Sequence, residues 1–432
     1  MSDIAGIPFV EARFDKHGTA QNAVQIPAGT TDLFIVSHGW NNDDAEARGL
    51  YTELFTNFAE VSRNAGLGDR KMAIVGVLWP SKKFDERVAV EGNGAVANGG
   101  ASIGGEENGE SANAVKEKLE WMKSILNEAA ETAQLEDAKN LVDSLETDPE
   151  ARKEFVEKIR SLLDPGESSG DDASEVFFEA DAGEIMEELK LPEEDLGDDL
   201  IPGGGASYIG VGAPSQTEGA AGLTEFFSGF NASAMNLLNY TTYYVMKERA
   251  GTVGRKGVAP LIDQAARTIP RIHLVGHSFG GRLVTAAAAN STTDRIKSMT
   301  LLQAAFSHNG FSRSMNGFFR KVVDGRRVNG PIIITHTKND RAVGVAYPIA
   351  SRLSGQKAAA LGDENDVFGG IGRNGAQKME AGEVVKAALL DVGGNYALSA
   401  GKLFNLEASA FIKDHGDVRN RQVAYAILKA IK

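Results

Sequence analysis

The chain has 432 residues, 42% of them hydrophobic, enough to bury a core in one large domain with an insertion or in two or three domains. It has no cysteine, which excludes disulfides, thiolate nucleophiles and cysteine-ligated metals. Its net charge of −14 is uneven: residues 101–200 carry 30 Asp and Glu against 9 Lys and Arg, or −21, and the remainder stands at +7; such an acidic module would repel phosphate, so no nucleic-acid partner is expected for it.

In chain order, residues 9–15 and 23–27 read as two opening strands joined by a turn at His17-Gly18. Residues 31–37 hold the apolar run Leu33-Phe34-Ile35-Val36, a buried strand that leads into His38-Gly39-Trp40. Asp43 and Glu46 have the spacing of a capping box. Leu50, Leu54, Phe55, Phe58 and Val61 then share one helical face, which should pack on a sheet. Residues 72–78 form the next buried strand. The loop after it makes Trp79 a candidate for lining a substrate pocket, with core packing as the alternative.

Composition changes after residue 90. Residues 91–111, with Gly99-Gly100 and Gly104-Gly105, read as a linker. Residues 112–145 and 148–163 carry helical patterns, the second started by Asp148 before Pro149. Residues 165–181 are acidic and serine-rich, 183–191 fit a short amphipathic helix, and 193–199 are acidic again before Gly203-Gly204-Gly205. The acids at 171–199 do not follow EF-hand spacing, so no metal site is expected there. The stretch 91–224 is read as an acidic, partly helical insertion between a first core part, 1–90, and a second, 225–432.

The core resumes in a strongly aromatic stretch. Residues 232–247 are expected as a helix packed on the sheet, and 226–230 as its continuation or as a lipid-facing lid segment. Gly251 and Gly254 are not in G-x-G-x-x-G order after a strand, so no nucleotide site is inferred. A short helix at 261–266 leads to the strand Ile272-His273-Leu274-Val275. The chain then turns on Gly276-His277-Ser278-Phe279-Gly280, which fits G-x-S-x-G, and enters a strong helix former at Arg282. Strand, turn and helix in this order lift a serine hydroxyl clear of a sheet.

Residues 298–304 are another strand, followed by Phe306-Ser307-His308; His308 and His277 are candidates to contact substrate. A strand at 331–337 ends in Lys338-Asn339-Asp340. Residues 403–409 precede Asp414-His415-Gly416-Asp417 and a final helix at 418–431, which Asp417 could cap. Ser278, Asp340 and His415 therefore come in the order Ser, acid, His, each in a loop after a strand.

Together these residues resemble the α/β-hydrolase superfamily, and within it bacterial esterase-like serine hydrolases, over about residues 30–80 and 232–430. The resemblance implies an α/β fold with a mostly parallel sheet flanked by helices. It implies Ser278 as nucleophile, His415 as base and Asp340 as orienting acid. The backbone N–H groups of Trp40 and Phe279 would form an oxyanion hole, with His38 beside it as a further pocket candidate. The insertion would be a cap or lid; the rival view is an appendage that binds a protein partner. The expected reaction is hydrolysis of a carboxylic ester or lipid ester (EC 3.1.1) through an acyl-enzyme, without metal or organic cofactor. A peptidase or amidase using the same triad is the alternative, and a non-catalytic scaffold the third reading. The chain start lacks the pattern of a signal peptide, and no apolar run reaches membrane-spanning length, so a cytoplasmic location is expected.

Overall fold

A computed structural model describes residues 2–81, 107–168, 174–190, 229–340 and 369–432. Outside them lie most of the expected linker, the acids at 193–199 with Gly203–Gly205, Phe226 and Phe227, and the residues just after Asp340.

The strands are β1 (Ser2–Ile4), β2 (Ile7–Arg13), β3 (Asp32–Ser37), β4 (Met72–Leu78), β5 (Arg271–His277), β6 (Ile296–Leu302), β7 (Ile332–His336), β8 (Val384–Ala388) and β9 (Leu403–Glu407). Among the described residues they form one nine-stranded sheet in the order β1-β2-β4-β3-β5-β6-β7-β9-β8. The β1–β2 pair is antiparallel and every other pair is parallel. The inner strands are buried on both faces, which is why they read as unbroken apolar runs.

Alternation along each strand divides two cores. Phe34, Val36 and Ile74 face α1 (Asp44–Ser62) and the C-terminal helix Arg421–Ile431. Leu33, Ile35, Ala73, Val75, Ile272 and Leu274 face the other helices. These include α2 (Glu107–Leu126), α3 (Ala129–Leu141), α4 (Pro149–Arg160), α5 (Ser174–Glu179), α6 (Ala182–Glu188), α7 (Gly229–Thr252), α8 (Ala259–Ala265) and α9 (Phe279–Asn290). The helix at α1 starts where expected: Asp43 accepts from the N–H of Ala45 and Glu46, and the Glu46 carboxylate returns to the Asp43 N–H at 2.7 Å.

Several local expectations are corrected. The opening hairpin is β1–β2, turned by Ala5 and Gly6 at φ 50° and 84°. Residues 23–27 form no strand. Instead the Asn22 amide takes strand-like bonds from β2, accepting from the Arg13 N–H at 2.7 Å and donating to the Glu11 carbonyl at 2.8 Å. The helical run 112–145 breaks at Asn127 (φ 49°), where a new helix begins after Glu128. Residues 107–111 belong to α2, not to a linker. Asn420, not Asp417, caps the last helix, accepting from the Val423 N–H at 3.0 Å. Phe230 does not face lipid: it is buried, with Arg152 and Lys190 each 3.6 Å from its ring centroid.

The described helices of the insertion pack on α7 and share its core, through Val115, Leu119, Phe155, Ile159, Phe177 and Ile185. Arg249 of α7 ties them to the sheet, donating to Pro80 O at 3.0 Å and to Ile125 O, in the last turn of α2, at 2.8 Å. Among the described residues no helix is long and apolar enough to cross a membrane.

At the amino ends of the strands, Asp32 is fully buried. It takes a two-pronged bond from Arg271 at 2.7 and 2.8 Å, and it lies 3.2 Å from His273 Nε2. His273 Nδ1 in turn meets Ser298 Oγ at 2.8 Å. Burial raises the Asp32 pKa, but bonds from His273, Arg271 and Thr31 outweigh it and hold the carboxyl well below its usual range. Asp32→Ala is expected to cost about 3–5 kcal/mol at neutral pH, read from urea unfolding, because it strands Arg271 and His273. A depressed carboxyl pKa stabilises above the unfolded value, so the difference should shrink as pH falls below about 4.

Candidate active site

The chain passes from β3 one way to β4 and later returns on the other side of β3 to β5. The carboxyl ends of β3 and β5 are therefore the point where the strand order reverses, the place where open parallel sheets bind ligands. Two loops meet there: 38–43 after β3, and the turn at Ser278 after β5.

Ser278 is held at φ 56°, ψ −126°, outside the regions that side chains favour. Three backbone bonds enforce this. Its N–H donates to Leu302 O at 3.0 Å, and its carbonyl accepts from Gly281 and Ala305 at 2.9 and 3.0 Å. Gly280 lies so close to the β3 end that a Cβ would stand 2.3 Å from Ser37 O. Gly39 is equally confined, since a Cβ would lie 2.5 Å from the Ser278 Cβ. The two loops are thus in direct contact only because both residues are glycine.

Phe279 opens α9, so its N–H is among those with no acceptor inside the helix. Its ring lies 6.1 Å from Trp40 and 5.0 Å from Tyr243 of α7. From Tyr243, ring contacts run through Tyr244 and Tyr240 to Phe177 of the insertion.

Asp340 follows β7 and His415 follows β9. The His415 Nδ1 lies 3.0 Å from both Asp340 oxygens, and Asp340 is fully buried. A carboxylate can only accept, so Nδ1 carries the proton and Nε2 keeps its lone pair. Burial lowers the His415 pKa, but the charge and hydrogen bond of Asp340, with the charge of Asp414, outweigh it; the net shift is upward. The two loops are laced together by Asn339, whose amide donates to Ile412 O at 2.9 Å, and by Thr337 Oγ1 against Ser409 Oγ at 2.7 Å. Among the described residues no hydrogen bond joins Ser278 Oγ to His415. Such contacts are often long before substrate binds.

The four pocket candidates each make contacts of their own. His38 is buried, its Nδ1–H donates to Gly39 O at 2.9 Å, and burial lowers its pKa to about 4, so it braces its own loop as a neutral ring. Trp79 stacks on His38 at 5.6 Å and donates to His38 O at 3.2 Å. It also borders a cavity of about 840 Å³ with Asp15, Asp43, Arg48, Ser81 and Arg249, a space lined by neither Ser278 nor His415. His308 is buried beside Asn374, with its backbone bonded to residues 369 and 377. His277 turns to His415, donating from Nε2 to its carbonyl at 2.8 Å. Tyr51 gives no separate signal in the sequence because it sits in an apolar helical face. Its hydroxyl accepts from the His38 N–H at 2.9 Å and donates to Val77 O at 2.6 Å, which fixes the loop after β3. Among the described residues, no group of three or more His, Asp or Glu is placed to hold a metal ion.

Comparison with curated proteins and with solved structures returns no match. Residues 262–327, which span the turn at Ser278, α9 and β6, match the family model of the alpha/beta hydrolase fold. With that match on the elbow and the nine-stranded, mostly parallel sheet around it among the described residues, the chain has the α/β-hydrolase fold.

Proposed function

We propose that the chain is a serine hydrolase that cleaves a carboxylic ester by acyl transfer. The observation that carries this reading is the hydrogen-bonded Asp340–His415 pair, with the His415 loop bonded by His277 to the turn that bears Ser278. Ser278 Oγ attacks the ester carbonyl while His415 Nε2 takes its proton. The oxyanion that forms sits against the N–H groups of Trp40 and Phe279. His415 then gives the proton to the leaving alkoxide. Water, deprotonated by the same nitrogen, releases the acid and restores Ser278. Asp340 holds the tautomer throughout and stabilises the imidazolium.

The insertion is read as a cap over this site. Support comes from its packing on α7, whose Tyr243 touches Phe279; a cap of this kind excludes water and sorts substrates. The test is a series of p-nitrophenyl esters of rising chain length beside peptide p-nitroanilides. Ester turnover that Ser278→Ala removes is the expected result. Cleavage of peptides alone would overturn the ester assignment.

A further inference from the structure

We propose that His277 is a positioning residue that locks the His415 loop onto the nucleophile turn. The inference rests on the roles of Ser278 and His415 given above.

Asn339, Thr337 and Asp340 all fasten that loop from the β7 side. They set its place against β7 and leave its place against β5 open. The Nε2–H of His277, donating to His415 O at 2.8 Å, fills that gap. Among the described residues it is the single hydrogen bond between residues 276–281 and 409–417. The two imidazoles also pack with centroids 4.9 Å apart. Ser278 is the next residue along the chain from His277, so the bond ties the base to the backbone that carries the nucleophile.

The carbonyl can only accept, so His277 must hold its proton on Nε2 and leave Nδ1 bare. Burial first, and then the charge of His415, push the His277 pKa down to about 3. It therefore stays neutral and adds no positive charge beside the imidazolium that forms on His415. Misplacing a reacting group by about 1 Å can cost about 100-fold in rate, which sets the scale for losing this tie.

Two substitutions separate the donor from the ring. His277→Phe keeps a planar ring and removes the N–H. His277→Gln keeps an N–H at a similar reach and removes the ring. Two readouts apply: the second-order rate of labelling by a fluorophosphonate, and the downfield proton resonance of the His415 Nδ1–H. In His277→Phe, labelling should slow by about 10- to 100-fold and the resonance should broaden, with thermal unfolding little changed. His277→Gln should recover both to within a few-fold. A wild-type labelling rate and an unchanged resonance in His277→Phe would overturn the proposal, as would equal losses in Phe and Gln. If the wild type is not labelled at all, the nucleophile reading fails instead, and the resonance alone decides the role of His277.

Discussion

Ser278→Ala is expected to fold as the wild type does and to lose about 10⁶-fold in kcat on an activated ester. The fold should survive because the bonds that hold this turn are made by the Ser278 backbone, to Leu302, Gly281 and Ala305. Alanine also keeps the Cβ that packs against Gly39. What disappears is the one atom that attacks. Residual turnover from the oxyanion donors and from binding should remain about 10³- to 10⁴-fold above water. Ester turnover with matched urea unfolding checks both halves. A variant keeping more than about 1% of the wild-type rate would be incompatible with a serine nucleophile at this position.

Asp340→Asn should cost about 10⁴-fold with the site geometry intact. An amide nitrogen presented to His415 Nδ1 would favour the tautomer protonated on Nε2, and that nitrogen could no longer accept the serine proton. The pH dependence gives a second signature. The reactive enzyme needs a neutral His415, so the rate should rise with pH through the His415 pKa. That pKa stands above the ordinary imidazole value because the Asp340 charge and bond outweigh burial. Removing the charge leaves burial in command, so the rising limb of Asp340→Asn should move to lower pH. An inflection that stays put would mean that Asp340 does not govern this imidazole.

The central strands were legible because burial on both faces leaves apolar runs such as Leu33-Phe34-Ile35-Val36. The edges were not. β8 is largely exposed and, among the described residues, pairs on one side only, so Val384–Ala388 carries no alternating signal. The opening hairpin hid in a two-residue turn at Ala5-Gly6 that lacks the usual Asn or Asp. In the insertion, the apolar helical faces were readable, but the break at Asn127 was not, since its cause is one backbone angle.

At the site, the order Ser278, Asp340, His415 is visible in the sequence. The supports are not, because His277, Asn339 and Tyr51 bond to backbone atoms far away in the chain. Residue type alone also fails to separate this cluster from Asp32, His273 and Ser298, which are bonded in series at the opposite end of the sheet. Those three are closed off from solvent and have no turn like that at Ser278, so they read as a structural tie.

The most direct test is to treat the folded protein with a fluorophosphonate and map the adduct by peptide mass spectrometry. A single adduct on the peptide holding Ser278, absent from Ser278→Ala, is the predicted result. An adduct on another serine, Ser298 included, or none on the folded wild type, would contradict a nucleophile at the G-x-S-x-G turn.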